Sequence, residues 1–162
     1  MSTAENDALL TPEDVRALDQ TISQYADKRA ACIEALKLIQ RRYGWVSDGR
    51  LGEVASLLDM TRSELDGVAT FYNLVFRRAV GQHVILLCDS VSCWLMGHDE
   101  LLADLSERLG IRRGETTPDG RFTLLPTVCL GQCDHAPAMM VDDNLHGDLD
   151  RNRLASLLDL YR

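Results

Sequence analysis

The chain has 162 residues, of which 46% are hydrophobic and 26% are charged, a composition typical of a globular protein with one core or two small domains. Its formal net charge of −8 argues against a nucleic-acid partner, because phosphate binding needs clustered lysine and arginine. No apolar run approaches the ~18 residues of a membrane span, and the acidic start is unlike a secretory signal peptide. We therefore expect a reducing compartment, where clustered cysteines bind metal more often than they form disulfides.

The N-terminal half predicts a small helical domain over residues 11–80, preceded by a mobile tail over residues 1–10. Thr11 with Pro12 marks the start of a first helix, and Thr61 with Glu64 forms the capping box of a fourth. Asp48 is predicted to cap the third helix. Apolar residues recur at helical spacing in four segments, approximately 12–25, 28–43, 49–58 and 62–69.

The rest of this half is less regular. The aromatic-rich stretch 70–76 has no assigned secondary structure, and residues 77–81 are predicted to form a linker. The helices over 51–72 are similar to a helix-turn-helix, but the second of them carries Glu64 and Asp66. These acids have the wrong sign for a polyanion, so a DNA-binding role is disfavoured.

The C-terminal half, residues 81–162, changes to a pattern of alternating strands and helices. A buried strand over 83–87 is followed by a helix over 97–109 and a second strand over 121–128. This order implies a parallel pair with a right-handed crossover. Further strands are predicted over 138–141 and 145–149, and Asp150 caps a last helix. The order is that of a thioredoxin-like fold, so the whole chain is predicted to be α+β, with a helical bundle before a mixed four-stranded sheet flanked by helices.

Four cysteines in two pairs stand out in the C-terminal half. Four residues separate Cys88 from Cys93, another 35 separate Cys93 from Cys129, and three separate Cys129 from Cys133. Each pair follows a predicted strand, so all four thiols are expected on loops at the carboxyl edge of the sheet, where binding sites form. The fifth cysteine, Cys32, is expected to pack in the helical core.

Three kinds of site remain open from the spacing alone: a structural zinc site, an iron–sulfur cluster and redox-active thiols. The two-plus-two spacing is mildly in favour of a two-iron cluster, because each iron then takes two thiolates. His135 is a weak candidate for an iron ligand, since four cysteines already complete the set of ligands. Trp94 and Met96 are candidates to exclude water. The candidate hydrogen-bond donors to sulfur are Gly131, Ser90, Ser92 and Thr127.

Five motifs carry a resemblance to a known family. In sequence order they are GVATFY at 67–72, CDSxxC at 88–93, GRFTLLP at 120–126, CLGxCD at 129–134 and PxMM at 137–140. They resemble the NuoE-type subunit of bacterial respiratory complex I, an NADH-quinone oxidoreductase, and the resemblance extends over nearly the whole chain. That subunit is a thioredoxin-like ferredoxin.

The resemblance implies one [2Fe–2S] cluster held by Cys88, Cys93, Cys129 and Cys133. It further implies an electron-transfer subunit of an enzyme complex, with no substrate site of its own, beside a flavin-bearing, NADH-oxidising subunit and other peripheral-arm subunits. FMN and NADH are expected only on that partner, because this chain has neither G-x-G-x-x-G nor a P-loop. The expected location is cytoplasmic, at the inner membrane through the complex and without insertion into it.

Two alternatives accompany this prediction. Close relatives with the same cysteine frame serve as diaphorase subunits of NAD-linked hydrogenases or formate dehydrogenases. In a different class, the four thiols would hold zinc in an interaction or DNA-binding module.

Overall fold

The computed structural model describes residues 9–161, which fall into two units that divide between Ala79 and Val80. Most of the predicted tail over 1–10 lies outside the described residues. Within residues 9–161, no helix has the length and apolar character that crossing a membrane would require.

The first unit is built from four α-helices among its described residues, and their leucines form its core. Leu18, Leu36, Leu51 and Leu65, one from each helix, are fully buried. A 3₁₀ turn over Lys28–Ala31 precedes the second helix, so the segment predicted as one helix from residue 28 has two parts. The helices are α1 (Pro12–Ile22), α2 (Cys32–Tyr43), α3 (Asp48–Leu57) and α4 (Arg62–Phe71).

Side-chain caps begin three of these helices. Thr11 caps α1 and Thr61 caps α4, as predicted, and each cap is a capping box. The box at Thr61 was predicted with Glu64, whereas the one at Thr11, completed by Asp14, was not.

The predicted cap of α3 is wrong. Ser47 caps this helix by accepting a hydrogen bond from the Arg50 N–H at 3.3 Å, and Asp48 is instead the first helical residue. The cap is the last residue before helical backbone begins, which apolar spacing does not locate to one residue.

The aromatic stretch left unassigned from sequence is held by one amide side chain. Helix α4 runs to Phe71, and the following residues turn back toward α2. The Gln40 Nε2 donates to the Leu74 carbonyl at 2.8 Å, and its Oε1 accepts from the Phe76 N–H at 2.6 Å. The amide thus replaces the backbone partners that a helix or strand would have given these groups.

Arg77, at the start of the predicted linker, is an integral part of the helical unit. Its Nε donates to Asp66 at 2.8 Å, and its terminal nitrogens donate to the Val46 carbonyl and to the Asp48 carboxylate. The side chain is only 16% exposed. One guanidinium therefore ties α4 to the start of α3.

We predict that Arg77→Ala lowers the free energy of unfolding of the protein by about 1–3 kcal/mol, because it removes the guanidinium hydrogen bonds to the Val46 carbonyl and to the carboxylates of Asp48 and Asp66. The matched control is Arg78→Ala, since Arg78 is exposed and has the same charge. Urea denaturation followed by circular dichroism measures both. Equal stability of the two variants would contradict this role of Arg77.

The second unit contains the sheet and three α-helices among its described residues. Helix α5, which carries Cys93, was not predicted. The elements are β1 (His83–Cys88), α5 (Val91–Leu95), α6 (His98–Leu109), β2 (Phe122–Thr127), β3 (Met139–Val141), β4 (Asn144–His146) and α7 (Arg151–Leu160).

The sheet has the strand order β2-β1-β3-β4 and is mixed. Strands β1 and β2 are parallel, in a register that pairs His83 with Phe122 and Cys88 with Thr127. The pairs β1–β3 and β3–β4 are antiparallel. Because β1 is central, every residue of it after His83 is buried, which explains its continuous apolar run. The predicted α+β class, with a helical bundle before a mixed four-stranded sheet, is confirmed.

Candidate metal centre

Parallel pairing of β1 and β2 brings the two halves of the site together. Cys88 is the last residue of β1, and its register partner Thr127 is the last residue of β2, two positions before Cys129. The Asp89 N–H donates to the Thr127 carbonyl at 3.0 Å, which continues the pairing past the end of β1. Both cysteine segments therefore leave the sheet at the same edge, as predicted.

The first pair of thiols is buried. Cys88 and Cys93 are each 2% exposed and pack with Ala136 and Ala138, while Leu130 from the second cysteine segment packs against them. Cys88 is the last residue of strand β1 and Cys93 lies on helix α5, so the prediction of four thiols on loops is wrong for these two. Helix α5 begins after its cap residue Ser90, and the side chain of Cys93 on this helix contacts the thiol of Cys88.

The second pair of thiols is exposed and close together. The Sγ atoms of Cys129 and Cys133 are 3.3 Å apart, and Cys133 begins a short 3₁₀ helix over Cys133–His135. Between them, Gly131 has φ +78°, and its N–H donates to the Cys129 Sγ at 3.4 Å. A side chain at this left-handed position costs about 1–2 kcal/mol, so glycine allows the turn that aims the amide at sulfur.

Contacts between the two cysteine segments show that the two pairs of thiols are neighbours. The Leu130 N–H, from the second segment, donates to the Cys88 thiol, and the Ser92 hydroxyl, from the first segment, donates to the Cys133 thiol. The hydroxyls of Ser90 and Ser92 were predicted as donors from sequence, and they donate to Cys88 and Cys133. Gly131 was predicted to let backbone N–H groups approach sulfur, and its own N–H does so. Leu130 was not predicted, because a backbone N–H has no signature in the sequence.

The pKa values of the thiols reflect these surroundings. Burial raises the pKa of Cys88, but hydrogen bonds from the backbone N–H groups of Ser90 and Leu130 outweigh it and hold the pKa below its ordinary value. Burial, together with the adjacent Cys88 thiol, raises the pKa of Cys93 to about 11. The hydrogen bond with Cys129 raises the pKa of Cys133. Donors already directed at Cys88 sulfur would equally stabilise a metal-bound thiolate.

The arrangement of the thiols favours some metals over others. Among residues 9–161, no group of three or more His, Cys, Asp and Glu side chains has the arrangement that would hold a metal ion. The thiols form two pairs instead, Cys88 with Cys93 and Cys129 with Cys133. Two pairs of sulfur ligands, bordered by backbone donors, suit a cluster in which each of two irons takes one pair. His135 does not join them, since its Nδ1 is 2.8 Å from a carboxylate oxygen of Asp148.

The two side chains that were candidates to exclude water from the site are largely exposed in this chain. Trp94 is 58% exposed and Met96 is 62% exposed. They belong to a set of exposed apolar side chains on and around α5 and at the end of β2, which we call the apolar rim. The apolar rim consists of Val91, Trp94, Leu95, Met96 and Val128.

One buried residue near the thiols was passed over in the sequence. His98, in the first turn of α6, is 3% exposed, and its Nδ1 lies 3.0 Å from the Cys88 carbonyl oxygen. Nothing in the local sequence distinguishes it from a surface histidine, since its neighbours Asp99 and Glu100 are exposed helix-start residues. Only the crossover of α6 back over β1 brings it to the cysteine.

The strand order and the flanking helices define a thioredoxin-like protein, and its two pairs of thiols suit an iron–sulfur cluster. Comparison with known proteins agrees with this class, because the sequence profile of the thioredoxin-like [2Fe–2S] ferredoxins matches residues 18–162. The chain belongs to this family, and an iron–sulfur cluster is accordingly its characteristic cofactor.

Two relatives show which members of this family the chain resembles. The chain is 45% identical over 153 residues to the NuoE-type subunit of NADH-quinone oxidoreductase from Pseudomonas aeruginosa PAO1, and 46% identical over 153 residues to its counterpart from Escherichia coli K12. Both alignments cover 94% of this chain and 92% of the relative. The resemblance stated from the sequence motifs is therefore confirmed.

Two solved structures share the fold. Both are of NAD⁺-reducing [NiFe]-hydrogenase, one in the air-oxidised state and one in the H₂-reduced state. Their TM-scores are 0.62 and 0.67, with 23% and 24% sequence identity over 99% and 78% of this chain. This chain spans only about a quarter of those chains, 24% and 22% of their length. At this level of identity the likeness shows the fold alone.

Proposed function

We propose that this chain is the electron-transfer subunit of an NADH-quinone oxidoreductase. In this proposal Cys88, Cys93, Cys129 and Cys133 hold one [2Fe–2S] cluster, which exchanges electrons with the flavin of a neighbouring NADH-oxidising subunit. The observation that carries it is the meeting of two thiol pairs at one sheet edge, in a chain of the [2Fe–2S] ferredoxin family.

The protein's own groups prepare this site for a negatively charged centre. A [2Fe–2S] cluster accepts and returns one electron at a time, at a potential that depends on hydrogen bonds to sulfur and on exposure to solvent. The N–H groups of Leu130 and Gly131 and the hydroxyl of Ser92 point to the thiols, so they supply such hydrogen bonds. Burial of Cys88 and Cys93 keeps water from the inner pair, while Cys129 and Cys133 lie on the side open to a partner.

A partner subunit completes the function. The sequence has no dinucleotide fingerprint and no P-loop, so FMN and NADH are assigned to the neighbour. The apolar rim, beside the exposed thiols, is the surface that such a neighbour would cover, and covering it brings the flavin protein close to the cluster. Other peripheral-arm subunits complete the complex, and the chain works on the cytoplasmic side, at the inner membrane only through that complex.

Sequence relatives favour this host over the alternatives. NuoE-type subunits of NADH-quinone oxidoreductase match nearly end to end at 45–46% identity, whereas the hydrogenase chains are 23–24% identical and much longer. The diaphorase role in an NAD-linked hydrogenase therefore fits less well. A formate dehydrogenase host has no comparable support.

We predict that serine in place of Cys88, Cys93, Cys129 or Cys133 perturbs or abolishes the cluster. Wild-type protein reduced with dithionite should give a rhombic EPR signal, and each of the four variants should lose or alter it. The matched control is Cys32→Ser, since Cys32 packs against the helical core and should leave the signal unchanged. An altered signal in Cys32→Ser, or an unaltered one in any of the four, would show that the ligand assignment is wrong.

We further predict that NADH reduces the cluster only when the flavin-bearing subunit is present. Under anaerobic conditions, the isolated chain should show the reduced EPR signal with dithionite but not with NADH, whereas the co-purified pair should show it with either. Leu95→Asp, in the apolar rim, should weaken co-purification and the NADH-driven signal while the dithionite signal persists. Leu160→Asp is the control, because Leu160 is equally exposed at the end of α7.

Reduction of the isolated chain by NADH would contradict the assignment of the substrate site to a partner. Equal co-purification of the Leu95→Asp and Leu160→Asp variants would contradict the role of the apolar rim.

A further inference from the structure

A buried histidine connects a cysteine of the thiol site to an arginine. Both ring nitrogens of His98 have a hydrogen-bond partner. Nδ1 is 3.0 Å from the Cys88 carbonyl oxygen, and Nε2 is 3.0 Å from Nη2 of Arg113. Burying an imidazole without partners is costly, and both of its nitrogens have one here. The carboxylate of Asp99 is 3.9 Å from Nε2, beyond hydrogen-bond distance.

The partners determine which nitrogen carries the proton. A carbonyl oxygen only accepts hydrogen bonds, and a guanidinium only donates them. Nδ1 of His98 therefore carries the hydrogen and donates to Cys88, while Nε2 accepts from Arg113. The two contacts require the same tautomer, so together they hold the ring in one orientation.

Arg113 also contacts the residue that follows Cys88. Its Nη1 is 3.5 Å from a carboxylate oxygen of Asp89, and its side chain is 38% exposed. His98 and Arg113 thus connect three segments at Cys88 and Asp89. These segments are the turn after β1, the first turn of α6 and the loop after α6. This places a permanent positive charge beside a cysteine of the site, since arginine stays protonated over the ordinary pH range.

We propose that His98 and Arg113 set the reduction potential of the iron–sulfur centre, with His98 as a positioning residue for Cys88 and Arg113 as the source of positive charge. This inference rests on the proposed function, in which Cys88 is a ligand. A cluster gains one negative charge when it is reduced, and a nearby cation stabilises the reduced form more than the oxidised form. The carboxylate of Asp89 offsets part of the positive charge of Arg113. The direct link between Arg113 and the ligand Cys88 is therefore the pair of hydrogen bonds made by His98.

The test is the midpoint potential of the purified cluster, followed by EPR during a dithionite titration. Arg113→Gln should shift the potential to a more negative value, whereas Arg113→Lys, which keeps the charge, should stay closer to wild type. Arg112→Gln is the matched control. It removes the same charge one position away, from the neighbouring exposed arginine, and should shift the potential less.

His98 is tested through the geometry of the ligand. His98→Leu removes the donor to the Cys88 carbonyl and should change both the visible circular dichroism of the cluster and its EPR g values. His98→Gln keeps an N–H donor and should resemble wild type more closely. If His98→Leu does not fold, His98→Gln and Arg113→Gln are compared instead. Arg113→Gln, which removes the charge, should shift the potential, whereas His98→Gln, which keeps the charge of Arg113 and a donor to Cys88, should not.

Two results would overturn this inference while the proposed function stands. One is a wild-type potential in Arg113→Gln, and the other is an equal shift in Arg113→Gln and Arg112→Gln, each with normal iron and sulfide content. Wild-type protein that binds no iron would instead overturn the proposed function itself, so the two failures are distinguishable.

Discussion

The site depends on the parallel pairing of β1 and β2. Because the two strands run the same way and their last residues, Cys88 and Thr127, are register partners, their continuations must leave the sheet at one edge. An antiparallel pair would have sent the two cysteine segments to opposite edges. The crossover between the strands, through α5 and α6, supplies the remaining first-segment cysteine and the buried His98.

Backbone N–H groups donate hydrogen bonds to the cysteine sulfurs at that edge of the sheet. The N–H groups of Leu130 and Gly131 reach sulfur because the second cysteine segment turns tightly, with Gly131 in the left-handed region. Such donors have a fixed direction and do not titrate, so they suit a centre that changes charge by one electron. The inner thiols are buried and the outer ones exposed, which gives the site a protected side and an open side.

Local patterns in the sequence predicted much of the fold. The helix start at Thr11, the capping box at Thr61 and the apolar run of β1 all act through near neighbours in the chain. The cysteine spacing and the strand–helix–strand order were sufficient to predict that the thiols meet at one edge. The family resemblance then distinguished iron–sulfur from zinc, which spacing alone left open.

The features that were missed depend on long-range packing. Gln40 satisfies backbone groups 34 and 36 positions away, and Arg77 joins residues 11 to 31 positions away. The contact of His98 with Cys88 exists only because α6 folds back on β1. Helix α5 is five residues long, too short for a periodic pattern to identify.

The metal and sulfide content of the purified protein tests the assignment of a [2Fe–2S] cluster to the four thiols most directly. Iron, acid-labile sulfide and zinc should be measured together on purified protein, by elemental analysis and sulfide assay. Two pairs of thiols holding a [2Fe–2S] cluster require about two irons and about two sulfides per chain, with a brown colour and negligible zinc. Colourless protein with about one zinc per chain and no sulfide would contradict it.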